Sequence, residues 1–461
     1  MYKYKDLIDQ TFQFPTPEFC VKDDSLFFHN VDLMQLVKKY GTPIKLSYLP
    51  KIGHNISEAR RIFGNSISKY GYSETYQYVY CTKSSHFQFV LNEVVNHKAH
   101  LETSSAFDMP IIRAVSAKAN YNKVDHLILC NGFKTEPYLE EIRSLIEDGF
   151  SCIPILDNLD EFKKYDKLEK KDFSYGVRLA SDEEPNFSFY TSRLGIRYRD
   201  AIPFYQDVLA KAPAKLKILH FFINTGIQDS SYYWTELRRF IRKYCELKEH
   251  CFELDSIDIG GGFPIKKSLQ FDYDYQYMSD QIVKTIQEIC LEQRTPLPKI
   301  FTEFGSYTVG ETGATLYSVL NTKFQNDKEK WYMMDGSFIT QTPDVWGENE
   351  KYILLPLNHW DKSYQKVNLG GLTCDRMDYY DSEAHIGEVF LPAIDKHENL
   401  YFGLFHTGAY QESLGGYGGI QHCLIPAPKH VVIEQDTEEN HKDWLFAEEQ
   451  NSQSMLKILG Y

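Results

Sequence analysis

The sequence predicts an α/β fold, a TIM-like (β/α)8 barrel joined to a mostly-β C-terminal domain. Between about residues 76 and 305, short β-branched or aromatic runs alternate with stretches whose apolar residues recur at helical spacing. Repeated βαβ units of this kind demand a parallel sheet. After Gly310 the helical spacing disappears, and strand-like runs separated by Gly, Pro, Asp and Asn take over. The length, 461 residues, exceeds one ordinary domain and suits a large α/β unit with a second domain. The expected boundaries are a barrel over 36–310 and a β-rich domain made of 1–35 with 311–461.

Thr42–Leu49 is a candidate strand ahead of the series. Tyr76–Lys83 opens the barrel, and Phe87, Val90, Leu91, Val94 and Val95 line one face of a helix over His86–His97. His100–Glu102 is the next strand, followed by a helix over Ala106–Ala119. His126–Cys130, Cys152–Leu156, Tyr175–Leu179, Ile218–Ile223, Ser256–Ile259 and Lys299–Glu303 complete eight strands, with helices over Tyr138–Asp148, Tyr233–Lys248 and Tyr275–Glu292 among them. Eight such strands close a barrel, and a doubly wound open sheet is the alternative the pattern allows. Beyond Gly310 the strand candidates are Ala314–Asn321, Trp331–Met334, Lys351–Leu357, Lys366–Leu369, Glu388–Phe390 and Val431–Glu434, and helical spacing returns only in the last residues.

Composition narrows the function classes. Hydrophobic residues at 43% and charged residues at 25% are ordinary for a globular protein, and 33 Tyr with 30 Phe promise a large core. With 50 Lys and Arg against 64 Asp and Glu, the net charge of −14 disfavours a nucleic-acid partner. The cysteine count is odd, nine, without CxxC or Cys/His metal spacing, which points to reduced thiols. Met1–Gln13 has no apolar stretch of the secretory kind, and no run reaches the roughly 20 apolar residues of a membrane helix. A soluble, cytoplasmic protein without a membrane or nucleic-acid partner is expected. His54, His86, His220 and His406 show no ligand spacing, so no metal is expected.

Chemistry is sought at the strand ends, where barrel enzymes carry it. Lys83 ends a strand, and burial by Tyr80 and Cys81 would lower its pKa as a Schiff-base amine requires; an exposed lysine opening a loop is the plain alternative. Gly260, Gly261 and Gly262 end another strand, and consecutive glycines let backbone N–H groups close on a phosphate. A plain tight turn explains them equally, and neither nucleotide fingerprint fits. Glu303 ends a third strand, where a carboxylate could hold a pyridinium nitrogen protonated or simply form a loop salt bridge. Cys374 and Asp375, with Asp378 and Asp381, read alone as a solvated acidic loop with one thiol.

As a set, these residues resemble the fold-type III (alanine-racemase-like) pyridoxal-phosphate decarboxylases, and among them the biosynthetic arginine decarboxylases. The resemblance runs from about residue 40 to 435 through Cys130-Asn131-Gly132-Phe133-Lys134, Leu219-His220-Phe221, Asp258-Ile259-Gly260-Gly261-Gly262 and Thr302-Glu303-Phe304-Gly305. Three strings mark the arginine branch: Pro343-Asp344-Val345-Trp346-Gly347, Thr373-Cys374-Asp375 with Asp378, and Gly408-Ala409-Tyr410-Gln411-Glu412 with Leu414-Gly415.

The resemblance implies pyridoxal 5'-phosphate as cofactor, an internal aldimine on Lys83, and Glu303 paired with the pyridinium nitrogen. It implies phosphate contacts from Gly260, Gly261, Gly262 and Tyr410, a proton from Cys374, and recognition of the distal cation by Asp375, with Asp378 also at the substrate. Cys374 and Asp375 are implied to serve a partner subunit's site, hence a homodimer with shared active sites or a higher oligomer. Phe222 stands where the family has the histidine that stacks on the cofactor ring, and Ser306 where it has an arginine. The implied reaction is decarboxylation of L-arginine to agmatine and CO2 for polyamine synthesis. The alternatives are another basic amino acid (ornithine, lysine or diaminopimelate) or a catalytically dead regulatory homologue. Asp375 speaks against diaminopimelate, whose own distal carboxylate is a poor match for added acid.

Overall fold

A computed structural model describes residues 16–118, 121–165, 173–181, 193–212, 214–384, 387–395, 397–436 and 440–461. The Met1–Gln13 reading and the last residue of the expected helix, Ala119, lie outside them. The chain forms two compact units, one of Ile52–Pro264 with Tyr273–Thr308, the other of Met1–Lys51, Ile265–Asp272 and Val309–Tyr461.

The first unit holds the predicted barrel. Its eight parallel strands, Tyr76–Cys81, His100–Thr103, Ile128–Cys130, Cys152–Leu156, Ser174–Leu179, Lys215–Phe221, Ser256–Asp258 and Lys299–Phe304, close on one another. Closure excludes the open-sheet alternative. Helices Gln88–Asn96, Asp108–Lys118, Glu136–Glu147, Ser231–Lys248 and Tyr275–Glu292 match the expected ones to within a few residues. A sixth, Pro50–Tyr70, has no counterpart in the sequence reading and buries Ile52, Ile56, Ala59, Ile62 and Phe63 along one face.

Side chains on a strand alternate between faces, and that period of two builds the site. Val79, Leu129, Ile153, Ile155, Ile218 and Phe301, from five different strands, form one buried cluster. Two residues further along the same faces stand Cys81, Asn131, His220 and Glu303, all buried. The apolar filling thus gives way to polar groups toward the C-terminal ends of the strands, the end where barrel enzymes carry their chemistry.

The second unit is a mixed sheet. Its strand order is Tyr379–Tyr380, Asn368–Gly370, Lys330–Met334, Gly313–Phe324, Ile44–Tyr48, Lys429–Gln435, His441–Ala447, with Tyr401–Phe405 pairing both Gly313–Phe324 and Ile353–Pro356. Ile44–Tyr48, expected within the barrel domain from residue 36, instead pairs antiparallel with Gly313–Phe324 and parallel with Lys429–Gln435. The physical reason is its pattern: Ile44, Lys45, Leu46 and Tyr48 are all buried, which suits a central strand covered on both faces. One core gathers Phe19, Phe28, Leu46, Leu316, Leu355, Phe405 and Val431, and a second gathers Tyr317, Tyr332, Phe338, Leu354, Phe402 and Leu404.

One buried ion pair fixes the barrel mouth. Lys134 Nζ lies 3.1 Å from Glu161 Oε1, with both side chains almost wholly buried, and donates to Gly132 O at 3.0 Å and Ile155 O at 2.6 Å. It ties the loop carrying Asn131 to the neighbouring strand. Removing one partner leaves an uncompensated buried charge. Lys134→Met should therefore cost about 3–5 kcal/mol of unfolding free energy, and the double change Lys134→Met with Glu161→Gln should recover part of it. Denaturant unfolding measures both, and a loss under about 1 kcal/mol in the single variant would contradict the ion pair's role.

Candidate active site

Glu303 is the centre of the barrel mouth. Its Oε2 lies 3.1 Å from His220 Nε2, and its Oε1 accepts from Asn131 Nδ2 at 3.0 Å. Burial by itself pushes the carboxyl up, but the His220 imidazole as charge and hydrogen-bond partner, with Lys83 and Arg178, outweighs it and holds Glu303 below the ordinary carboxylate range. Asp258 lies in the same buried cluster as His220 and Glu303. Burial first, and the Glu303 charge second, push its carboxyl well above the usual value. The surroundings thus push two neighbouring acids in opposite directions, the Glu303 carboxyl down and the Asp258 carboxyl up.

Lys83 sits just past its strand, in the short 3-10 turn Thr82–Ser84. The expectation of a lysine enclosed by Tyr80 and Cys81 is corrected here. Its side chain is 41% exposed and its Nζ lies 2.7 Å from Glu102 Oε2, whose own side chain is 1% exposed. The strand ends before the lysine, so the side chain leaves the apolar layer and meets a buried acid. Burial, with the Glu303 charge, raises the Glu102 carboxyl although Lys83 pulls the other way.

The three glycines are needed on steric grounds. Gly260 and Gly262 have φ of +70° and +107°, and a Cβ on Gly261 would stand 2.1 Å from the Glu303 carbonyl oxygen. Gly260 N–H donates to Asp258 Oδ1 at 2.8 Å, and Glu303 N–H donates to Gly260 O at 2.9 Å. Phe222 packs against this turn, 3.2 Å from where a Gly260 Cβ would lie, and the Arg178 guanidinium stands 5.8 Å from its ring centroid. Ser306 opens the short helix Ser306–Val309 directly after the Glu303 strand.

The other predicted residues belong to the sheet unit. Cys374 and Asp375 are exposed, and Asp375 Oδ1 accepts from Met377 N–H at 2.8 Å. Hydrogen bonding and charge from Cys423, whose sulfur lies 3.3 Å away, push the Cys374 thiol up. Asp378, expected at the substrate, is instead buried, and both its oxygens are engaged. Oδ1 accepts from Phe338 N–H at 2.8 Å, and Oδ2 from Thr373 N–H at 3.0 Å and Thr373 Oγ1 at 2.7 Å. A carboxylate so enclosed holds the Cys374 loop against the first turn of the helix Phe338–Gln341. Tyr410 adopts φ +67° at the start of the helix Gln411–Gly415. Gln411 Nε2 donates to Asp344 Oδ2 at 2.8 Å and to the Tyr352 hydroxyl at 3.0 Å. The strings at 343–347, 373–378 and 408–415 therefore meet around the helices Phe338–Gln341 and Pro343–Gly347.

Glu102, Asn131, His220 and Asp258 carried no role in the sequence reading. A polar residue at the end of a barrel strand, the signal that marks Lys83 and Glu303, also marks Glu102 and Asn131, whereas His220 falls inside the expected strand Ile218–Ile223 and Asp258 one residue short of the end of Ser256–Ile259. Among the described residues, no helix is long and apolar enough to cross a membrane.

A family model described as the pyridoxal-binding domain of pyridoxal-dependent decarboxylases matches residues 56–310. The biosynthetic arginine decarboxylase of Citrifermentans bemidjiense is 24% identical over 389 residues, 79% of this chain and 58% of that protein. For two further biosynthetic arginine decarboxylases the matched shares are 46% and 52%, so the chain spans about half the length of these curated relatives. The crystal structure of the biosynthetic arginine decarboxylase of Campylobacter jejuni superposes with a TM-score of 0.83 at 18% identity, over 100% of this chain and 92% of that one. Diaminopimelate decarboxylase from M. jannaschii, in complex with L-lysine, superposes at 0.76 with 17% identity, over 95% and 96% of the two chains. These likenesses show the fold.

The residues present fit pyridoxal phosphate. His220 Nδ1 and Asp258 Oδ2 are buried without a hydrogen-bond partner among the described residues. The ionised Glu303 has lone pairs beyond those used by His220 and Asn131, and the glycine turn admits close approach of a phosphate.

The raised Asp258 carboxyl gives a pH test. The folded chain holds this proton more tightly than the unfolded chain, which releases it near pH 4, so this group lowers stability progressively as pH rises above about 4. Asp258→Asn keeps the acceptor for Gly260 N–H and removes the penalty. In cofactor-free protein its thermal midpoint should exceed that of wild type at pH 8 and converge with it toward pH 4. A variant less stable at pH 8 would contradict the raised Asp258 carboxyl.

Proposed function

Because this chain belongs to the pyridoxal-dependent decarboxylases, with the pyridoxal-binding domain over residues 56–310, we propose that it converts L-arginine to agmatine and CO2. The observation that carries the reading is the buried, ionised Glu303 at the same strand-end layer as His220 and Asn131, with Lys83 acting on it electrostatically. Bound pyridoxal phosphate supplies an electron sink for the pair left when the Cα–carboxylate bond breaks. Lys83 would be the amine that holds the cofactor covalently. Glu303 would accept a hydrogen bond from its protonated ring nitrogen, with His220 and Asn131 keeping the carboxylate in place. Phe222 would offer the ring an apolar face. Gly260, Gly261, Gly262 and Tyr410 would be the phosphate contacts, with Ser306 supplying no charge there.

Cys374 returns a proton to Cα after CO2 leaves, and a thiol kept in its protonated form suits that task. Asp375 pairs with the planar guanidinium, which matches a carboxylate bidentately. Asp378 positions their loop instead of touching substrate. We place Cys374 and Asp375 in the site of a second copy of the chain, which makes the working enzyme a homodimer. The choice of arginine is supported by Asp375 and by the relatives that carry the name biosynthetic arginine decarboxylase.

Release of CO2 from arginine should exceed that from ornithine, lysine and diaminopimelate. Asp375→Asn should raise the KM for arginine roughly tenfold or more, the effect of losing a charge-assisted hydrogen bond. Equal or faster turnover of ornithine would refute the assignment. Shared sites are tested by mixing: Lys83→Ala and Cys374→Ala proteins, each inactive alone, should together regain part of the wild-type activity. Absence of rescue after subunit exchange would rule out sharing.

A further inference from the structure

Cys374 belongs to a group of three. Its sulfur lies 3.3 Å from that of Cys423, and its backbone N–H donates to Cys423 Sγ at 3.4 Å. His422 brings a ring nitrogen to the same place, so that the three ligand atoms all lie within 4.8 Å of one another, on exposed residues. The two loops that supply them are 49 residues apart in sequence. Cys423 adopts φ 56° inside the turn His422–Leu424. A non-glycine residue is uncommon in that region, and the left-handed step lets neighbouring side chains at 422 and 423 converge on one point. The decarboxylation uses neither His422 nor Cys423.

Two sulfurs and an imidazole nitrogen are the donor set of a borderline divalent ion. Zinc binds thiolate at about 2.3 Å and imidazole at about 2.0–2.1 Å, so donor atoms around a tetrahedral ion stand about 3.5–3.8 Å apart. The cluster needs only small side-chain rotations to meet that spacing. The Cys374 N–H donated to Cys423 Sγ helps to orient that sulfur, the kind of outer contact that commonly positions a metal ligand. Magnesium and calcium, which take oxygen ligands, are excluded by the donor set. Three protein ligands leave the fourth position to water.

We propose that Cys374, Cys423 and His422 form a binding site for zinc or a closely similar borderline divalent ion. Each thiol loses its proton to solvent as its metal–sulfur bond forms, with no change of oxidation state. The ion then holds the Cys374 sulfur and stops it from delivering a proton to substrate. Binding stands independently of the reaction, whereas the inhibition rests on the role given to Cys374 above.

Cobalt(II) is the probe, added to reduced, pyridoxal-loaded, full-length protein. One equivalent per chain should give the intense visible d–d bands of four-coordinate cobalt with thiolate ligands, and zinc should bleach them. Cys423→Ser and His422→Ala should each weaken cobalt binding at least tenfold. Six-coordinate spectra, bands unchanged in both variants, or a Cys374–Cys423 disulfide persisting after reduction would overturn the site. Zinc should also inhibit the wild type, while His422→Ala keeps its basal activity and needs at least tenfold more zinc for the same inhibition. Cobalt bands without zinc inhibition would leave the site standing and overturn both the inhibition and the proton-donor role of Cys374.

Discussion

A carboxylate stays charged inside a barrel only if its surroundings replace the water it has given up. Glu303 meets that condition with an imidazole on one oxygen and a carboxamide on the other. Much of the barrel mouth follows from keeping those partners in register. Asn131 is presented by a loop tied down by the Lys134–Glu161 ion pair, and His220 rises two residues beyond Ile218 on a strand paired with both neighbours. Asp258, buried and then crowded by the same charge, has its carboxyl pushed up instead. The site is a solution to one electrostatic demand, and under the proposed function a protonated ring nitrogen would be a further positive partner.

The sheet unit solves a different problem, that of holding an exposed loop in one place. The Cys374 and Asp375 side chains are exposed, yet their loop is anchored from beneath by Asp378, whose carboxylate spans Phe338 N–H and Thr373. Close packing adds to the anchor, since a Cβ on Gly371 would stand 2.3 Å from that carboxylate. Rigid support below and solvent above leave the thiol and the acid positioned but accessible, which the proposed proton transfer and the proposed metal site would both require.

The barrel was legible because each unit repeats the same local signature, an apolar run followed by an amphipathic helix. The helix Pro50–Tyr70 was not, since Gly53 and Gly64 lower its propensity and its stability comes from a tertiary face instead. Ile44–Tyr48 was legible as a strand, but its sheet was not, because partner choice depends on pairings across the whole chain. Lys83, Glu303 and the glycines were visible as strand ends. Their partners were harder to see, since His220 lies 83 residues and Asn131 172 residues from Glu303, far beyond any local pattern. Asp375 and Asp378 look alike in sequence, and only burial separates the one open to a ligand from the one holding the backbone.

The glycine turn bears on how variation in such proteins is read. Gly260 and Gly262 are required by their positive φ, and Gly261 by the Glu303 carbonyl that a side chain would strike. A larger residue at 261 would push the final barrel strand outward and carry the Glu303 carboxylate with it. In a deep mutational scan all three positions would be equally intolerant, two by torsion and one by collision. Intolerance there would report the geometry of the strand end, and it would be silent on which amide touches a phosphate.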